Sequence, residues 1–350
     1  MNKLQKINPL RLWQQIAQIA IFTYSALIIE YFLLRAIFWD KFWLVGLISS
    51  FIPWIFLPIF IIPIVAFGII QKKWLNIASC IACFLLISWM HIQYFSPSPP
   101  PTTVSPVTLR VLSLNNSWHK TPSDNLVNLI LTQQPDIVCL QEVTKKHNKE
   151  AFPKLKPFYH IQAGLGVAVL SKYPILSGED IKLGDESHRE SQQRVIIQLN
   201  PQQQVVVYNV ATSSPWVKFY KYGGLKFPVY EYGDRSVEIA DLVQRLQREQ
   251  DPVILAGDLN MTDQSQDYHQ LRAVMRDTFA HSGWGFGFTW PDGWDFNFLL
   301  PNSNIILKTP LVRVDYIWHS HHWVSAKTEV LPTTGSDHLP LVTQLHFLSR

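Results

Sequence analysis

Three long apolar segments in the first 95 residues constrain this chain more than any other feature. They cover about 16–38, 42–70 and 74–95, and each supplies the roughly twenty residues needed to cross a hydrocarbon core about 30 Å thick. The first segment is too long for a signal peptide and has no small-residue cleavage site. The sequence therefore predicts three transmembrane helices within a membrane anchor, 1–95. Prolines in the second segment leave a kinked or re-entrant element as the alternative there.

Basic residues near the ends of these segments predict the orientation of the chain. They precede the first segment and separate the second from the third: Lys3, Lys6, Arg11, Lys72 and Lys73. By the positive-inside rule both places are cytoplasmic, so the third segment ends on the opposite side. The uncharged Ser- and Pro-rich stretch 96–106 then predicts a semi-rigid linker. The rest of the chain is expected outside the cytoplasm, tethered to the bilayer.

Residues 107–350 show a different pattern, typical of a globular domain with one large core. The predicted strands are 108–114, 137–140, 166–170, 194–199, 205–210, 253–256, 314–318 and 341–346, and the predicted helices are 124–133 and 236–249. The strands 137–140 and 253–256 are apolar throughout, which is typical of strands buried on both faces. We therefore predict an α/β fold, a four-layer sandwich of two packed sheets with helices outside. Cys139 is the only cysteine in this part, so no disulfide or cysteine zinc site is predicted.

Polar side chains stand where the predicted strands begin or end. They are Asn115, Glu142, Asn209, Asp258, Asn260, Asp315, Asp337 and His338. Carboxylate and amide oxygens are the ligands that Mg²⁺ prefers, and a histidine can act as a base. This combination is what metal-assisted hydrolysis of a phosphate ester requires.

The same residues carry a resemblance to a known family. The motifs are Leu114-Asn115, Gln141-Glu142, Gly257-Asp258-Leu259-Asn260, Asp315-Tyr316-Ile317 and Ser336-Asp337-His338. In this order they resemble the endonuclease/exonuclease/phosphatase superfamily, which has the DNase I-like fold, and the likeness covers essentially all of 107–350. The layout of anchor, linker and domain is similar to a membrane-anchored bacterial branch that includes glycopeptide-resistance proteins.

The resemblance implies a metal site and a histidine beside it. Glu142, Asn115 and Asp337 would hold a divalent cation, Mg²⁺ or alternatively Mn²⁺. His338 would take the proton from the attacking water or stabilise the transition state. Asp315 would hold its imidazole in the useful tautomer, as general-base catalysis requires.

The resemblance also implies roles for residues at two neighbouring strand ends. Asp258 and Asn260 would orient the nucleophile and hold phosphoryl oxygens, and Asn209 would donate to a non-bridging oxygen. Ala211 departs from the pattern, because many family members carry a histidine two residues after the asparagine. The pair Tyr208-Asn209 is the candidate replacement, and the acid that protonates the leaving group stays open.

Two aromatic stretches predict where a substrate binds: the first interleaves aromatic residues with lysines, and the second is aromatic and flexible. They are 215–227 and 281–298, and the candidate binding residues are Trp216, Lys218 and Trp290. On a tethered domain such stretches suit the membrane interface, where Trp, Tyr and Lys settle. Stacking on single-stranded nucleic acid and simple packing on the domain surface are the alternatives.

Together these features predict a membrane-anchored, metal-dependent hydrolase of a phosphate ester or phosphoanhydride. Its expected substrate is a phosphorylated lipid or lipid-linked intermediate at the outer surface of the membrane. An extracytoplasmic membrane-bound nuclease is the first alternative, although a formal net charge of +4 over 350 residues gives little of the basic excess of nucleic-acid binders. A catalytically inactive membrane-binding module with the same fold is the second.

Overall fold

The computed structural model describes residues 9–62, 73–95, 97, 107–118, 120–184, 192–222, 225–295 and 304–348. The chain divides into two compact units, one ending at Gln93 and the other beginning at Tyr94. Apart from Pro97, the predicted linker 96–106 lies outside the described residues. The predicted boundaries of anchor, linker and domain therefore stay predictions.

The first predicted span folds as one continuous helix, α1 (Pro9–Phe38), followed by a 3₁₀ turn (Trp39–Lys41). Its large apolar side chains, such as those of Ile19, Phe22 and Leu27, are exposed. A helix that is apolar on all sides suits a lipid environment. Pro9–Lys41 is the one helix in the described part of the chain that is long and apolar enough to cross a membrane, and a signal sequence near the N-terminus would meet the same criterion.

The prediction of three continuous spans needs correction. The second segment is broken into α2 (Trp43–Ser50), α3 (Ile52–Ile55) and a 3₁₀ turn (Leu57–Phe60). Pro53 and Pro58 stand in the first turns of the last two pieces. Proline has no N–H to continue an earlier helix, and its ring clashes with the preceding turn.

The other two parts of the predicted anchor have different outcomes. Residues 63–72 lie outside the described part of the chain. The third segment forms α4 (Lys73–Tyr94). Among the described residues, however, α1 alone meets the criterion of length and composition for a membrane span.

The second unit contains two six-stranded sheets. Its strands in chain order are β1 (Thr108–Asn115), β2 (Ile137–Gln141), β3 (His160–Ala163), β4 (Val167–Ser171), β5 (Ile175–Ile181), β6 (Gln192–Asn200), β7 (Gln203–Ala211), β8 (Trp216–Tyr222), β9 (Leu225–Glu231), β10 (Val253–Asp258), β11 (Arg276–Asp277), β12 (Trp294–Asp295), β13 (Ile306–Leu307), β14 (Asp315–His319), β15 (Trp323–Val330) and β16 (Leu341–Phe347). One sheet has the order β15-β16-β1-β2-β4-β3 and the other β11-β14-β10-β7-β6-β5. Two further pairs, β8-β9 and β12-β13, form separate antiparallel ribbons. Both sheets are mixed, because β1 is parallel to β2 and β7 is parallel to β10, whereas the other pairs are antiparallel.

This unit has four layers of helices and sheets, with an apolar core between each layer and the next. Its helices are α5 (Ser123–Gln133), α6 (Lys145–Glu150), α7 (Phe152–Leu155), α8 (Gly233–Arg248), α9 (Gln266–Arg272) and α10 (Thr278–Ser282). The central core lies between the sheets, where β1 and β2 contribute side chains from one side and β7 and β10 from the other. Helices α5 and α7 cover the outer face of the first sheet, and α8 and α9 cover that of the second. The fold of this unit agrees with the predicted α/β sandwich.

Gly257 allows β10 to approach β7 closely just before the strand ends at Asp258. Its φ is +148°, and an added Cβ would lie 1.8 Å from the carbonyl oxygen of Val210. That atom is backbone and cannot rotate away. The position of Asp258 therefore depends on a glycine before it.

We predict that Gly257→Ala lowers the free energy of unfolding by about 2–6 kcal/mol, because an unfavourable φ and overpacking each cost about 1–3 kcal/mol. Thermal unfolding of the full-length protein in detergent measures the effect. Gly233→Ala is the matched control, because a Cβ at Gly233 in the first turn of α8 meets nothing within 4 Å. Equal midpoints for the two variants would contradict the prediction.

Candidate active site

Strands from both sheets end at one edge of the sandwich and bring polar residues together there. In the first sheet Asn115 pairs with Gln141, and in the second Asp258 pairs with Asp315. Asn115 Nδ2 donates a hydrogen bond to Asp258 Oδ2 at 3.0 Å, which connects the two sheets. Asn115 and Asp258, which the sequence predicts at the ends of two strands, thus lie side by side.

His338 lies against three carboxylates at this edge. Its Nδ1 is 2.9 Å from Asp315 Oδ2, and both residues are buried. Its Nε2 faces Asp258 Oδ2 at 3.9 Å and Asp337 Oδ1 at 4.0 Å. The hydrogen bond to Asp315 fixes the ring so that Nε2 is directed towards the other two carboxylates.

Ser336 fixes the segment that carries His338. Its hydroxyl donates to the carbonyl oxygen of Asn115 at 2.6 Å and accepts from the backbone N–H of His338 at 3.0 Å. Nearby, Asn125 Nδ2 donates to the carbonyl oxygen of Thr334 at 2.9 Å. The loop before β16 is therefore attached to the end of β1 and to α5.

The pKa values of His338 and Asp258 are both raised above their ordinary values. Burial disfavours a charge on His338, but Asp315 and Asp258 outweigh it and raise the pKa of His338 to about 10. Burial raises the pKa of Asp258 to about 7, although His338 acts in the opposite direction. With the protein groups alone and no metal ion bound, His338 is an imidazolium at neutral pH and Asp258 titrates near neutrality.

The site edge suits a hard divalent cation. Asp258, Asp315 and His338 each offer one ligand atom, and these atoms lie within 4.8 Å of one another. Asp315 Oδ1 is buried and has no hydrogen-bond partner. Carboxylate oxygens are the donors that Mg²⁺ and Mn²⁺ prefer, so the carboxylates at this edge fit such a cation.

The three predicted metal ligands all lie at this edge. Asn115 Oδ1 accepts from the backbone N–H of Ser117 at 2.8 Å, and Asp337 faces His338. Glu142 directly follows β2, is half-buried and has a φ of +52°. A positive φ is uncommon for a residue other than glycine and is often found at functional sites. The assignment of these three residues as ligands stays a prediction.

Asn260 supports the carboxylate of Asp258. Its backbone N–H donates to Asp258 Oδ1 at 3.0 Å, and its Nδ2 donates to the carbonyl oxygen of Thr212 at 2.9 Å and to Asp258 Oδ2 at 3.2 Å. Asn260 also has a positive φ, +47°. These contacts orient Asp258, and the predicted contact of Asn260 with a phosphoryl oxygen stays a prediction.

Asn209 occupies a different position from the one that its predicted role requires. It is fully buried between the sheets, where its Nδ2 donates to the carbonyl oxygens of Leu140 at 3.0 Å and Ala168 at 3.1 Å. Its Oδ1 accepts from Gln141 Nε2 at 2.7 Å. Both amide hydrogens are used within the protein, so in this structure Asn209 connects the sheets and has no hydrogen left for a substrate.

Tyr208 is also away from the site, because successive side chains of a strand point to opposite faces. It belongs to the core under the helices, and its hydroxyl donates to Glu249 Oε1 at 2.7 Å. Arg194 donates to the same carboxylate at 2.7 Å. Ala211, by contrast, pairs with Asp258 at the site edge. Tyr208 therefore does not replace the histidine that is missing at Ala211.

The predicted substrate-binding residues have different outcomes. The Trp290 ring centroid lies 6.4 Å from that of His338, and Trp290 is half-buried. Lys218 is exposed on the β8-β9 ribbon and pairs with Glu231 at 2.5 Å. The side chain of Trp216 lies outside the described part of the structure. Of the two described side chains, Trp290 is the one beside the site.

Two residues at the site were not predicted from the sequence. Lys120 Nζ lies 2.5 Å from Asp337 Oδ2. Burial would raise the pKa of Asp337, but the hydrogen bond from Lys120 helps to hold it below its ordinary value. Thr289 Oγ1 accepts from the backbone N–H groups of Val314 at 3.2 Å and Asp315 at 3.3 Å, which fixes the start of β14. The basic character of the loop after β1 is the only sequence signal for Lys120, and Thr289 has none.

Known proteins resemble this chain in sequence and in fold. Residues 112–338, more than half of the chain, match the model of the Endonuclease/Exonuclease/phosphatase family. None of the curated proteins matches the chain. The resemblance to the glycopeptide-resistance branch is not confirmed by these comparisons.

Several solved structures share the fold at low sequence identity. A functionally unknown conserved protein from Enterococcus faecalis has a TM-score of 0.53 and 14% identity, over 68% of this chain and 100% of that one. An endonuclease/exonuclease/phosphatase from Bacteroides vulgatus has a TM-score of 0.51 and 15% identity, over 69% and 99%. D. rerio TDP2, complexed with a single-strand DNA product, has a TM-score of 0.50 and 15% identity, over 68% and 98%.

We predict that Asp315→Asn lowers the pKa of His338 by about 1–3 pH units, because it removes the carboxylate that hydrogen-bonds to the imidazolium. In the unmodified protein the pKa of His338 is raised from 6.5 to about 10. The pair therefore stabilises the fold fully below about pH 6.5, and this stabilisation is lost as the pH rises through about 10.

Histidine-selective NMR of the metal-free protein measures this titration, with His338→Gln used to assign the signal. Asp241→Asn is the control, because Asp241 pairs with Arg245 on α8 instead of with a site residue. An unchanged His338 titration in Asp315→Asn would disprove the assigned electrostatic role.

Proposed function

Since this chain belongs to the Endonuclease/Exonuclease/phosphatase family, we propose that it is a metal-dependent hydrolase that cleaves a phosphate ester or phosphoanhydride. The proposal rests on one observation, the buried hydrogen bond between Asp315 and His338. The Nε2 atom of His338 faces Asp258 and Asp337. The family is named for nucleases and phosphatases, and both hydrolyse bonds of this kind. A positioned imidazole among carboxylates suits proton transfer and charge stabilisation in such a reaction.

Acid and base roles are divided between two residues. Asp258 accepts the proton of the attacking water, and its pKa of about 7 matches what an effective base needs at neutral pH. His338, held as an imidazolium by Asp315, directs Nε2–H at a phosphoryl oxygen and stabilises the charge that develops there. The alternative, in which His338 is the base, requires a lower pKa than these carboxylates give it.

We assign the divalent cation to Glu142, Asn115 and Asp337. A cation held by Asp258, Asp315 and His338 would need a neutral imidazole, because a metal-ligating histidine must be deprotonated. His338 instead shares a hydrogen bond with Asp315 and has a raised pKa. When bound, Mg²⁺ or Mn²⁺ polarises the phosphoryl group and stabilises a departing oxyanion, which would reduce the need for a histidine at Ala211.

We further propose a phosphorylated lipid or lipid-linked molecule as the substrate. The candidate membrane helix α1 supports this choice. A run of aromatic residues does so too: Trp284 is 71% exposed and contacts Phe95, with ring centroids 5.1 Å apart. The same loop continues through Phe286 to Trp290, next to His338. An exposed tryptophan on the loop that leads to the site suits the interfacial region of a bilayer.

Nucleic acid is the second candidate substrate. It is favoured by the fold shared with D. rerio TDP2, which was solved with a single-strand DNA product. Trp290 beside His338 could stack on a base. Both candidates present a phosphate ester to the same residues, so a direct comparison of substrates distinguishes them.

We predict that the purified full-length protein releases phosphate, or a phosphorylated headgroup, from lipid phosphates in mixed micelles with Mg²⁺ or Mn²⁺. His338→Ala should reduce the rate about 10²–10⁴-fold, the usual contribution of a positioned acid or base. The control is His160→Ala, because His160 is an exposed residue of β3. Hydrolysis of DNA without hydrolysis of lipid would exclude the lipid proposal. A rate that is the same in His338→Ala would indicate a contaminant and an inactive domain.

We also predict that the catalytic domain lies outside the cytoplasm. Lys3, Lys6 and Arg11 near the start of α1 favour a cytoplasmic N-terminus, and any odd number of crossings then places the domain on the other side. Protease added to intact cells that express the chain should digest the domain, while a cytoplasmic marker remains whole. If the domain resists the protease until the membrane is permeabilised, the assigned orientation is wrong.

A further inference from the structure

Lys120 is a cation at the active site with no role in the mechanism above. Its Nζ lies 2.5 Å from Asp337 Oδ2, and the other oxygen of the same carboxylate is 4.0 Å from His338 Nε2. Asp337 therefore stands between the ammonium group of Lys120 and the imidazole of His338. The Lys120 side chain is 52% exposed, whereas that of Asp337 is 16% exposed. The ammonium group is thus on the solvent side of the site, where a substrate arrives.

The backbone beneath Lys120 is fixed to the catalytic residues. The N–H of Lys120 donates to the carbonyl oxygen of Ser117 at 3.0 Å, and the N–H of Ser117 donates to Asn115 Oδ1 at 2.8 Å. Thr121 Oγ1 donates to the carbonyl oxygen of Asn116 at 2.9 Å. The main chain is therefore held in place, while the lysine has a flexible four-carbon stem that can move its charge.

The Lys120 ammonium can pair with the Asp337 carboxylate or with a phosphoryl group of a substrate. Asp337 is one of the residues to which we assign the divalent cation, and a cation bound there would repel the ammonium of Lys120. A phosphate ester brings negative charge into a site that already contains the carboxylates of Asp258 and Asp315. A displaced Lys120 would find its nearest new anion in the phosphoryl group, and lysine is a common phosphate-binding residue.

We propose that Lys120 is a phosphate-binding residue that exchanges partners: it neutralises Asp337 before the divalent cation binds and contacts a non-bridging phosphoryl oxygen of the substrate afterwards. This inference rests on the proposed function, because it assumes a phosphate ester at the site. It holds equally for a lipid and for a nucleic acid. It makes Lys120 a competitor of the cation and a partner of the substrate.

The test compares Lys120→Gln and Lys120→Arg with the unmodified full-length protein in detergent. In the absence of substrate, Lys120→Gln should bind Mn²⁺ about two- to fivefold more tightly, the range expected from losing a partly exposed ion pair. With saturating Mn²⁺, it should bind inorganic phosphate roughly tenfold more weakly, as for a lost hydrogen bond to a charged group. In turnover it should raise KM by a similar factor with a smaller change in kcat. Lys120→Arg should restore part of the phosphate affinity.

Lys154→Gln is the matched control. Lys154 pairs with Asp124 at 2.6 Å, and its side chain is 54% exposed, close to the value for Lys120, but its partner is not a site residue. This variant should leave Mn²⁺ binding, phosphate binding and KM unchanged. Thermal unfolding of each variant verifies that the fold is retained.

The binding measurements separate this inference from the proposed function. Unchanged or weaker Mn²⁺ binding in Lys120→Gln would overturn the exchange of partners, and unchanged phosphate affinity would overturn the contact with substrate. If both binding shifts occur but no phosphate ester is hydrolysed by any variant, Lys120 keeps its assigned role and the proposed enzymatic activity is wrong.

Discussion

The hydrogen bond between Asn115 and Asp258 joins two sheets at the point where their shared apolar core ends. Below it, the amides of Asn209 and Gln141 connect the sheets again through bonds to each other and to backbone carbonyls. Gln141 Oε1 has no hydrogen-bond partner, but Gln141 Nε2 and both amide atoms of Asn209 are paired, and paired polar groups in a buried network are held rigidly. These bonds therefore set the distance between the sheets, and with it the separation of Asp258 from Glu142 on the neighbouring strand end.

The sequence predicted the location of a site residue where that residue stands at the end of an apolar strand. Residues 137–140 of β2 and 253–256 of β10 are apolar and buried, and the polar residues at the ends of these strands could be located from that pattern. Tyr208 and Asn209 show the limit of such reasoning, because adjacent strand residues point to opposite faces and neither side chain reaches the open edge. Lys120 shows another limit, since its partner lies 217 residues away and no local pattern indicates the contact.

The N-terminal unit shows what a hydropathy pattern can and cannot predict. Apolar composition is summed over a window, so the second segment resembles the first although its prolines interrupt the helix. Helix α1 has a proline only at its first position, where the missing N–H has no helical partner to lose. The two segments are similarly apolar, but only the first has an unbroken series of helical backbone hydrogen bonds. This difference matters because a lipid-exposed span must satisfy every backbone N–H and C=O group.

The site draws its residues from both ends of the domain, as the bond between Ser336 and Asn115 illustrates across 221 positions. Strand β16 is inserted between β15 and β1, so these two strands are joined in one sheet only after β16 has been made. Contacts of such long range form late and slow folding. During synthesis, Asp258 and Asp315 are made before His338 exists to join them. The candidate site is therefore complete only once His338 has been made, and a chain that stops before that residue lacks the Asp315–His338 pair.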